Sequence, residues 1–229
     1  MNEPPDKDLI SRRELLRRAG FVGAAATVVP IAFLRAQVRG GARREPLETL
    51  SAAEGETLEA VVARLIPSDD TGPGATEARA AHYIDRALGG ALASSRDAYR
   101  SGLAALDTYA QSSQRARFAM LPPAAQDAVL RDLETNVATG FTPDAAGFFN
   151  LVRAHTIQGT FCDPYYGGNA SFIGWDLLGY PGVRLGVSAA EQRLNPRLTP
   201  THRSAYDHSM FSGKRPARAS VQRGHVHAD

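Results

Sequence analysis

The sequence has few of the residues that hold redox cofactors or form covalent cross-links. Its 229 residues include one cysteine, one tryptophan and three methionines. The single thiol, Cys162, cannot close an internal disulfide, and it cannot hold an iron–sulfur cluster, which takes several thiolates. No Cys-x-x-Cys-His haem motif occurs, and no Gly-x-Gly-x-x-Gly dinucleotide motif follows a strand. We therefore expect no haem, no iron–sulfur cluster and no dinucleotide cofactor in this chain. No ligand spacing predicts a metal site, and these patterns assign no catalytic residue.

Membrane-length apolar runs and sheet-like alternation are also missing. A charge-free run of 16 residues extends from Ala19 to Leu34, short of the roughly 20 residues with which a helix crosses about 30 Å of hydrocarbon. No segment alternates apolar and polar residues between turn-forming pairs, so no sheet of any size is expected. The sequence predicts a mainly α fold: an irregular bundle of about five helices, a long structured loop rich in Gly and aromatic residues, and a polar C-terminal tail.

Basic residues are scarce in the middle of the chain. The formal net charge is +2, but residues 50–183 carry 9 Lys and Arg against 15 Asp and Glu, whereas residues 184–229 carry 8 against 3. A folded domain that binds nucleic acid needs a basic face, so nucleic acid is not an expected partner. The basic tail could instead dock on an acidic surface, including that of its own domain.

Residues 1–36 have the pattern of a twin-arginine export signal. Its residues are Ser11, Arg12, Arg13, Leu15 and Leu16, followed by the weakly apolar run that Pro30 interrupts. Such signals are addresses read by a receptor. An amphipathic or core helix is the alternative, but Thr27 is the one polar residue in the run, so no amphipathic stripe forms. Cleavage after Ala36 would place the large Leu34 where a small residue is preferred, which leaves an uncleaved signal open.

A polar linker, residues 37–49, leads into a helical domain at residues 50–187. Ser51 and Glu54 form a capping-box pattern that starts a helix through Ile66, and Pro67 ends it. Further helices are predicted at 76–88, 94–112, 121–135 and 144–159. Thr142-Pro143 is expected to cap the last of these, which is the most apolar and is predicted to be central. His155 within it is expected to be a hydrogen-bonded core residue, and Asp69-Asp70 is expected to form a turn.

The composition changes sharply after this helix, in residues 160–187, here called the aromatic segment. It contains the one tryptophan, three of the seven tyrosines and two short motifs. The first motif is Asp-Pro-Tyr-Tyr-Gly-Gly-Asn at 163–169, and the second is Gly-Trp-Asp-Leu-Leu-Gly-Tyr-Pro-Gly at 174–182. Glycines allow positive φ and close backbone approach, while Trp and Tyr supply large contact areas. We expect this segment to be ordered.

The chain resembles the small subunit, called subunit 3 or gamma, of membrane-associated, flavin-dependent gluconate 2-dehydrogenases. The resemblance lies in these two motifs, in the twin-arginine leader, and in Ile66-Pro67-Ser68-Asp69-Asp70 followed by Pro73-Gly74-Ala75. The resemblance implies a large partner subunit of the glucose-methanol-choline type that holds FAD and lacks its own signal. It also implies a cytochrome c subunit that receives electrons. In this family the large subunit chooses the substrate, which is a sugar or a sugar acid in many members.

The resemblance implies an accessory role. The chain would escort the large subunit through the twin-arginine translocase and stabilise it in the periplasm, with membrane association through an uncleaved signal or through the complex. The residues expected at the partner interface are Phe161, Asp163, Pro164, Tyr165, Tyr166, Gly167, Gly168, Asn169, Gly174, Trp175, Tyr180, Pro181 and Gly182.

Two other functions remain open from the sequence. A stand-alone enzyme, for example a hydrolase, could use Asp163, Tyr165, Tyr166, His155 and Cys162 as an acid–base or nucleophilic site. A carbohydrate-binding module could use Trp175 and the tyrosines as stacking platforms, which would leave the rings exposed in a groove. A subunit interface would instead form a contiguous apolar patch, and some of these rings could also complete the domain's own core. The polar tail, residues 188–229, is expected to be partly disordered.

Overall fold

The structure is a computed structural model that describes residues 46–193 and 198–212. The predicted export signal, most of the linker and the end of the tail lie outside these residues. The described residues form seven α-helices and no β-strand, which confirms the mainly α fold class. The helices are α1 Ala52–Leu65, α2 Ala80–Leu88, α3 Arg96–Gln114, α4 Pro123–Glu134, α5 Ala145–Phe161, α6 Ile173–Leu178 and α7 Ser209–Ser212.

The first helix begins with the capping box that the sequence predicts. The Ser51 hydroxyl accepts a hydrogen bond from the Glu54 amide at 3.3 Å, and the Glu54 carboxylate accepts one from the Ser51 amide at 2.8 Å. Two otherwise unpaired donors at the start of α1 are therefore satisfied. Leu58, Val61 and Val62 lie on the buried face of this helix, as their spacing predicts.

Two predicted helix starts are wrong. Helix α2 begins at Ala80 rather than at Thr76, because Arg79 has a left-handed backbone with φ 62°, and this conformation ends the preceding turn. Helix α5 is capped by Asp144 rather than by Thr142-Pro143. The Asp144 carboxylate accepts a hydrogen bond from the Gly147 amide at 2.7 Å, which a proline side chain, having no acceptor, cannot do.

Helix α5 is central, as its apolar sequence predicts, and contacts α1, α2, α3, α4 and α6. The buried core around it includes Tyr99 and Leu106 from α3, and Phe148 and Val152 from α5 itself. At the edge of the bundle, Arg64 of α1 binds both carboxylate oxygens of Asp127 in α4 at 2.6 and 2.8 Å. No helix within residues 46–193 or 198–212 is both long and apolar enough to cross a membrane.

Candidate partner-binding site

The aromatic segment, predicted as one long loop, contains regular structure. Helix α5 extends into it as far as Phe161, and α6 carries Trp175. Two 3-10 turns, Pro164–Tyr166 and Ala170–Phe172, lie between the helices. Left-handed residues bound α6 on both sides, Phe172 with φ 64° and Gly179 with φ 65°. Helix α6 was not predicted because a six-residue helix is too short to give the helical periodicity by which a sequence reveals one.

Asn169 joins the two motifs to the end of α5. This residue is fully buried, and its side-chain amide donates to the carbonyl of Cys162 at 2.8 Å. Its side-chain oxygen accepts from the amide of Gly174 at 2.7 Å. Its own backbone amide donates to the carbonyl of Gly159 at 2.8 Å. One side chain therefore fixes the position of the second motif relative to the first.

Two glycines let the aromatic segment lie directly on the last turns of α5. A Cβ at Gly168 would collide with the carbonyl oxygen of Gly159, and a Cβ at Gly174 would collide with that of Thr160. Any larger residue would have to move the segment away from the helix. These two predicted interface residues thus have a role in contacts within this chain.

The tryptophan is part of the interior. Trp175 is 6% exposed, and its indole N–H donates to the carbonyl of Phe161 at 3.0 Å. The ring meets Tyr180 edge to face, with centroids 4.9 Å apart, and lies beside Phe172 at 5.3 Å. Tyr180 is 40% exposed, so the tyrosine, and not the tryptophan, reaches solvent.

A segment that sequence reasoning left in the polar tail completes the site. Residues 198–208, here called the strap, cross both motifs. The Asp163 carboxylate accepts hydrogen bonds from the Tyr165 amide at 2.9 Å, the Ser204 hydroxyl at 2.7 Å and the Ala205 amide at 2.8 Å. The ring of Tyr206 stacks on Tyr165 with centroids 3.7 Å apart. This part of the predicted tail is therefore packed against the domain.

Tyr166 completes the contact between the first motif and the strap. Its hydroxyl lies 2.8 Å from that of Tyr206. This hydrogen bond, together with burial, raises the pKa of Tyr166 to about 12, so the phenol stays protonated at physiological pH. Tyr166 is nevertheless 49% exposed, which leaves much of its ring available to another molecule.

An open groove of about 560 Å³ lies beside these contacts. Its lining residues are Phe161, Asp163, Trp175, Leu178, Gly179, Tyr180 and Pro181. Five of these seven were predicted as interface residues, whereas Leu178 and Gly179 were not. Leu178 is 65% exposed at the rim, and the signal that could have identified it is its position within the second motif.

The remaining predicted interface residues have backbone roles. Pro164 starts a 3-10 turn, and Gly167 and Gly182 have positive φ of 97° and 94°. The carbonyl of Pro181 accepts hydrogen bonds from the amide and hydroxyl of Thr201 in the strap, at 2.8 and 2.9 Å. The structure thus brings the predicted residues of the aromatic segment into one region. The predicted signal residues, Ser11 to Leu16, lie outside the described residues.

Two of the side chains considered for stand-alone catalysis, His155 and Cys162, pack within the fold. His155 is buried on α5, where its Nδ1 lies 3.0 Å from the Tyr99 hydroxyl, as expected for a core histidine. Burial lowers the pKa of His155. Burial also raises the pKa of Cys162 to about 11, which keeps the thiol protonated and weakly nucleophilic.

Comparison with known proteins identifies the family. The family model described as gluconate 2-dehydrogenase subunit 3 matches residues 52–182, more than half of the chain. The chain therefore belongs to this family. No curated protein and no solved structure shows significant similarity to it. The matched range includes helices α1 to α6 and both motifs, and it ends before the strap.

Proposed function

We propose that this member of the gluconate 2-dehydrogenase subunit 3 family is the non-catalytic small subunit of a periplasmic, FAD-dependent dehydrogenase. Family membership indicates a small subunit in a complex with other dehydrogenase subunits. The proposal adds that the large subunit is of the glucose-methanol-choline type and oxidises a sugar or sugar acid. It also adds that this chain escorts the large subunit through twin-arginine export and then stabilises it, while a cytochrome c subunit receives the electrons.

The observation that carries the proposal is the distribution of exposed apolar side chains. Among the described residues, ten large hydrophobic side chains are exposed. Seven of them lie in the aromatic segment or after it: Tyr166, Leu178, Tyr180, Leu185, Val187, Met210 and Phe211. A contiguous exposed apolar patch is typical of a surface that binds another protein, and Leu178 and Tyr180 of this set line one groove. The groove lies in this part of the chain.

The chemistry available in the described residues also favours an accessory role. Asp163 and Asp85 each accept three hydrogen bonds from the protein. His155 is bonded to Tyr99, and the Cys162 thiol has a raised pKa. A general base or nucleophile needs a free lone pair near a substrate. These four groups instead take part in contacts that hold the fold, which is consistent with a subunit that relies on its partner for catalysis.

The predicted export signal supplies a physical reason for the escort role. A flavoprotein acquires FAD as it folds, so a large subunit without a signal would have to be exported already folded. Binding to a chain that carries Arg12 and Arg13 would let one signal serve both subunits. The apolar surface described above would supply the contact that persists during transport and afterwards in the complex.

The test replaces the twin arginines and follows the partner. Arg12→Lys with Arg13→Lys keeps the charge but changes the residues that the export receptor reads. The matched control is Arg17→Lys with Arg18→Lys, two adjacent arginines just after the motif. We expect the first pair to reduce both this chain and a flavin-containing subunit in the periplasm at least tenfold, and the control to leave both unchanged. Export of the flavoprotein despite the first pair would contradict the escort role.

The groove geometry does not favour the carbohydrate-binding alternative. A stacking platform needs an aromatic face open to solvent, whereas Trp175 is 6% exposed and is covered by Tyr180 and Phe172. One face of Tyr165 is covered by Tyr206. Trp175 and one face of Tyr165 are thus used in contacts inside the chain.

A further inference from the structure

We infer that the strap, residues 198–208, holds the groove in its binding shape, and that the groove receives an apolar, uncharged segment of the large subunit. This inference rests on the proposed function for the identity of the partner. The role of the strap itself rests on contacts within this chain. Because the family match ends at residue 182, the inference assigns part of the binding site to a segment outside the matched region.

The strap binds the second motif by its backbone. The amide of Thr201 donates to the carbonyl of Pro181 at 2.8 Å, and the amide of Val183 donates to the carbonyl of Arg203 at 3.0 Å. Together these bonds pair residues 181–183 with residues 201–203. The Nε2 of His208 lies 3.2 Å from the carbonyl of Val183 and adds a third link. Pro181, which lines the groove, is therefore held from its outer side by the strap.

The strap also binds the first motif, at the carboxylate of Asp163 and at the rings of the two tyrosines. Ser204 and Ala205 donate to the two oxygens of the Asp163 carboxylate, and Tyr206 contacts both Tyr165 and Tyr166. Asp163 and Pro181 line the same groove. The strap thus connects two walls of the groove that are 18 residues apart in the sequence, so its loss would let them separate.

The charge of the lining indicates what the groove binds. Of the seven described residues that line the groove, only Asp163 belongs to a charged residue type, and both of its oxygens accept hydrogen bonds from the strap. Asp176, on the same helix as Trp175, lies 2.8 Å from the Nε2 of His202. The charge of Asp163 disfavours an anionic segment, and its three hydrogen bonds from this chain reduce what it offers to a cationic one. An apolar segment matches the exposed Leu178 and Tyr180 at the rim.

The experiment changes strap residues that do not line the groove. Tyr206→Ala removes the contacts with Tyr165 and Tyr166, and Ser204→Ala removes one bond to Asp163. Ser101→Ala is the matched control, because Ser101 is exposed on α3 and its hydroxyl bonds within its own helix at 2.8 Å. The full-length chain is tagged and expressed in its native host. Amide hydrogen exchange and circular dichroism are measured on the isolated chain, and bound FAD per chain is measured on the purified complex.

For Tyr206→Ala we expect at least tenfold faster exchange at the Val183 amide, unchanged helical circular dichroism, and at least tenfold less bound FAD per chain. Ser204→Ala should give smaller changes in the same direction, and Ser101→Ala none. Unchanged exchange at Val183 would refute the inference that the strap holds the groove in shape. Faster exchange with full FAD retention would refute the inference that this shape is needed to bind the large subunit. Absence of FAD from the wild-type preparation would instead refute the proposed function, so the two failures are distinguishable.

Discussion

Replacement of Asn169 by alanine is expected to destabilise the chain by about 3–7 kcal/mol. The change leaves the buried amide of Gly174 and the carbonyl of Cys162 without their partners, and each unpaired group costs about 1–3 kcal/mol. Asn169 also has a left-handed backbone with φ 44°, a conformation that asparagine tolerates and that costs alanine about 1 kcal/mol. Both effects lower the free energy of unfolding.

Asn136 provides a matched control within the same chain. It too has a left-handed backbone, with φ 60°. Its side-chain oxygen accepts from the amides of Ala145 and Ala146 at 3.1 and 3.2 Å. Asn136 is exposed, so water can replace its side chain. We therefore expect Asn136→Ala to cost about 1–2 kcal/mol, near the typical value for a lost helix cap with the backbone term added.

Urea unfolding followed by circular dichroism measures both variants, and an unchanged dependence on urea concentration would show that the unfolding reaction is the same. Asn169→Gly separates the two contributions, because glycine adopts positive φ freely while still removing the hydrogen bonds. It should recover about 1 kcal/mol relative to Asn169→Ala. If Asn169→Ala and Asn136→Ala differ by less than about 1 kcal/mol, then burial of the partner groups does not decide the cost, and the reasoning is wrong.

Two further outcomes are expected elsewhere in the domain. Asp85 is fully buried, and its carboxylate accepts hydrogen bonds from the amides of Glu48, Thr49 and Leu50 at 2.7, 3.1 and 2.7 Å. Asp85→Asn should therefore lower the free energy of unfolding, measured in urea, by about 2–4 kcal/mol. A loss below about 1 kcal/mol would contradict the role of Asp85 in holding these three amides. Because burial lowers the pKa of His155, the stability that its neutral ring provides is present above about pH 6.5 and is lost as the pH falls through the folded-state pKa. His155→Gln should flatten that part of the curve of melting temperature against pH, and an unchanged curve would contradict the assignment.

Much of the helical bundle is predictable because its determinants are local. The Ser51–Glu54 capping box and the prolines at the start of α4 act within a few residues of the helix ends that they set. The start of α2 was missed for a different reason. Arg79 adopts φ 62° although its sequence carries no signal for a left-handed backbone, since buried neighbours such as Ala75 and Ala78 fix the turn.

The strap could not be predicted, because its contacts are distant in sequence. Asp163 and Ser204 are 41 residues apart, and a polar segment without periodicity gives no indication of where it binds. Its hydrogen bonds with Pro181 and Val183 use backbone groups, which every sequence provides. Only the excess of basic residues after residue 183 suggested docking on the acidic domain, and that pattern did not identify the aromatic segment as the place.

The residues that make the two motifs recognisable are not the same as the residues that are free to contact a partner. Gly168, Asn169 and Gly174 are buried against α5, where substitution would displace the segment, so the fold itself restricts what these positions can be. Leu178 is exposed and could vary with the partner at little cost to the fold. Variants at Leu178 should therefore change partner binding without changing stability, whereas variants at the buried glycines and asparagine should change both.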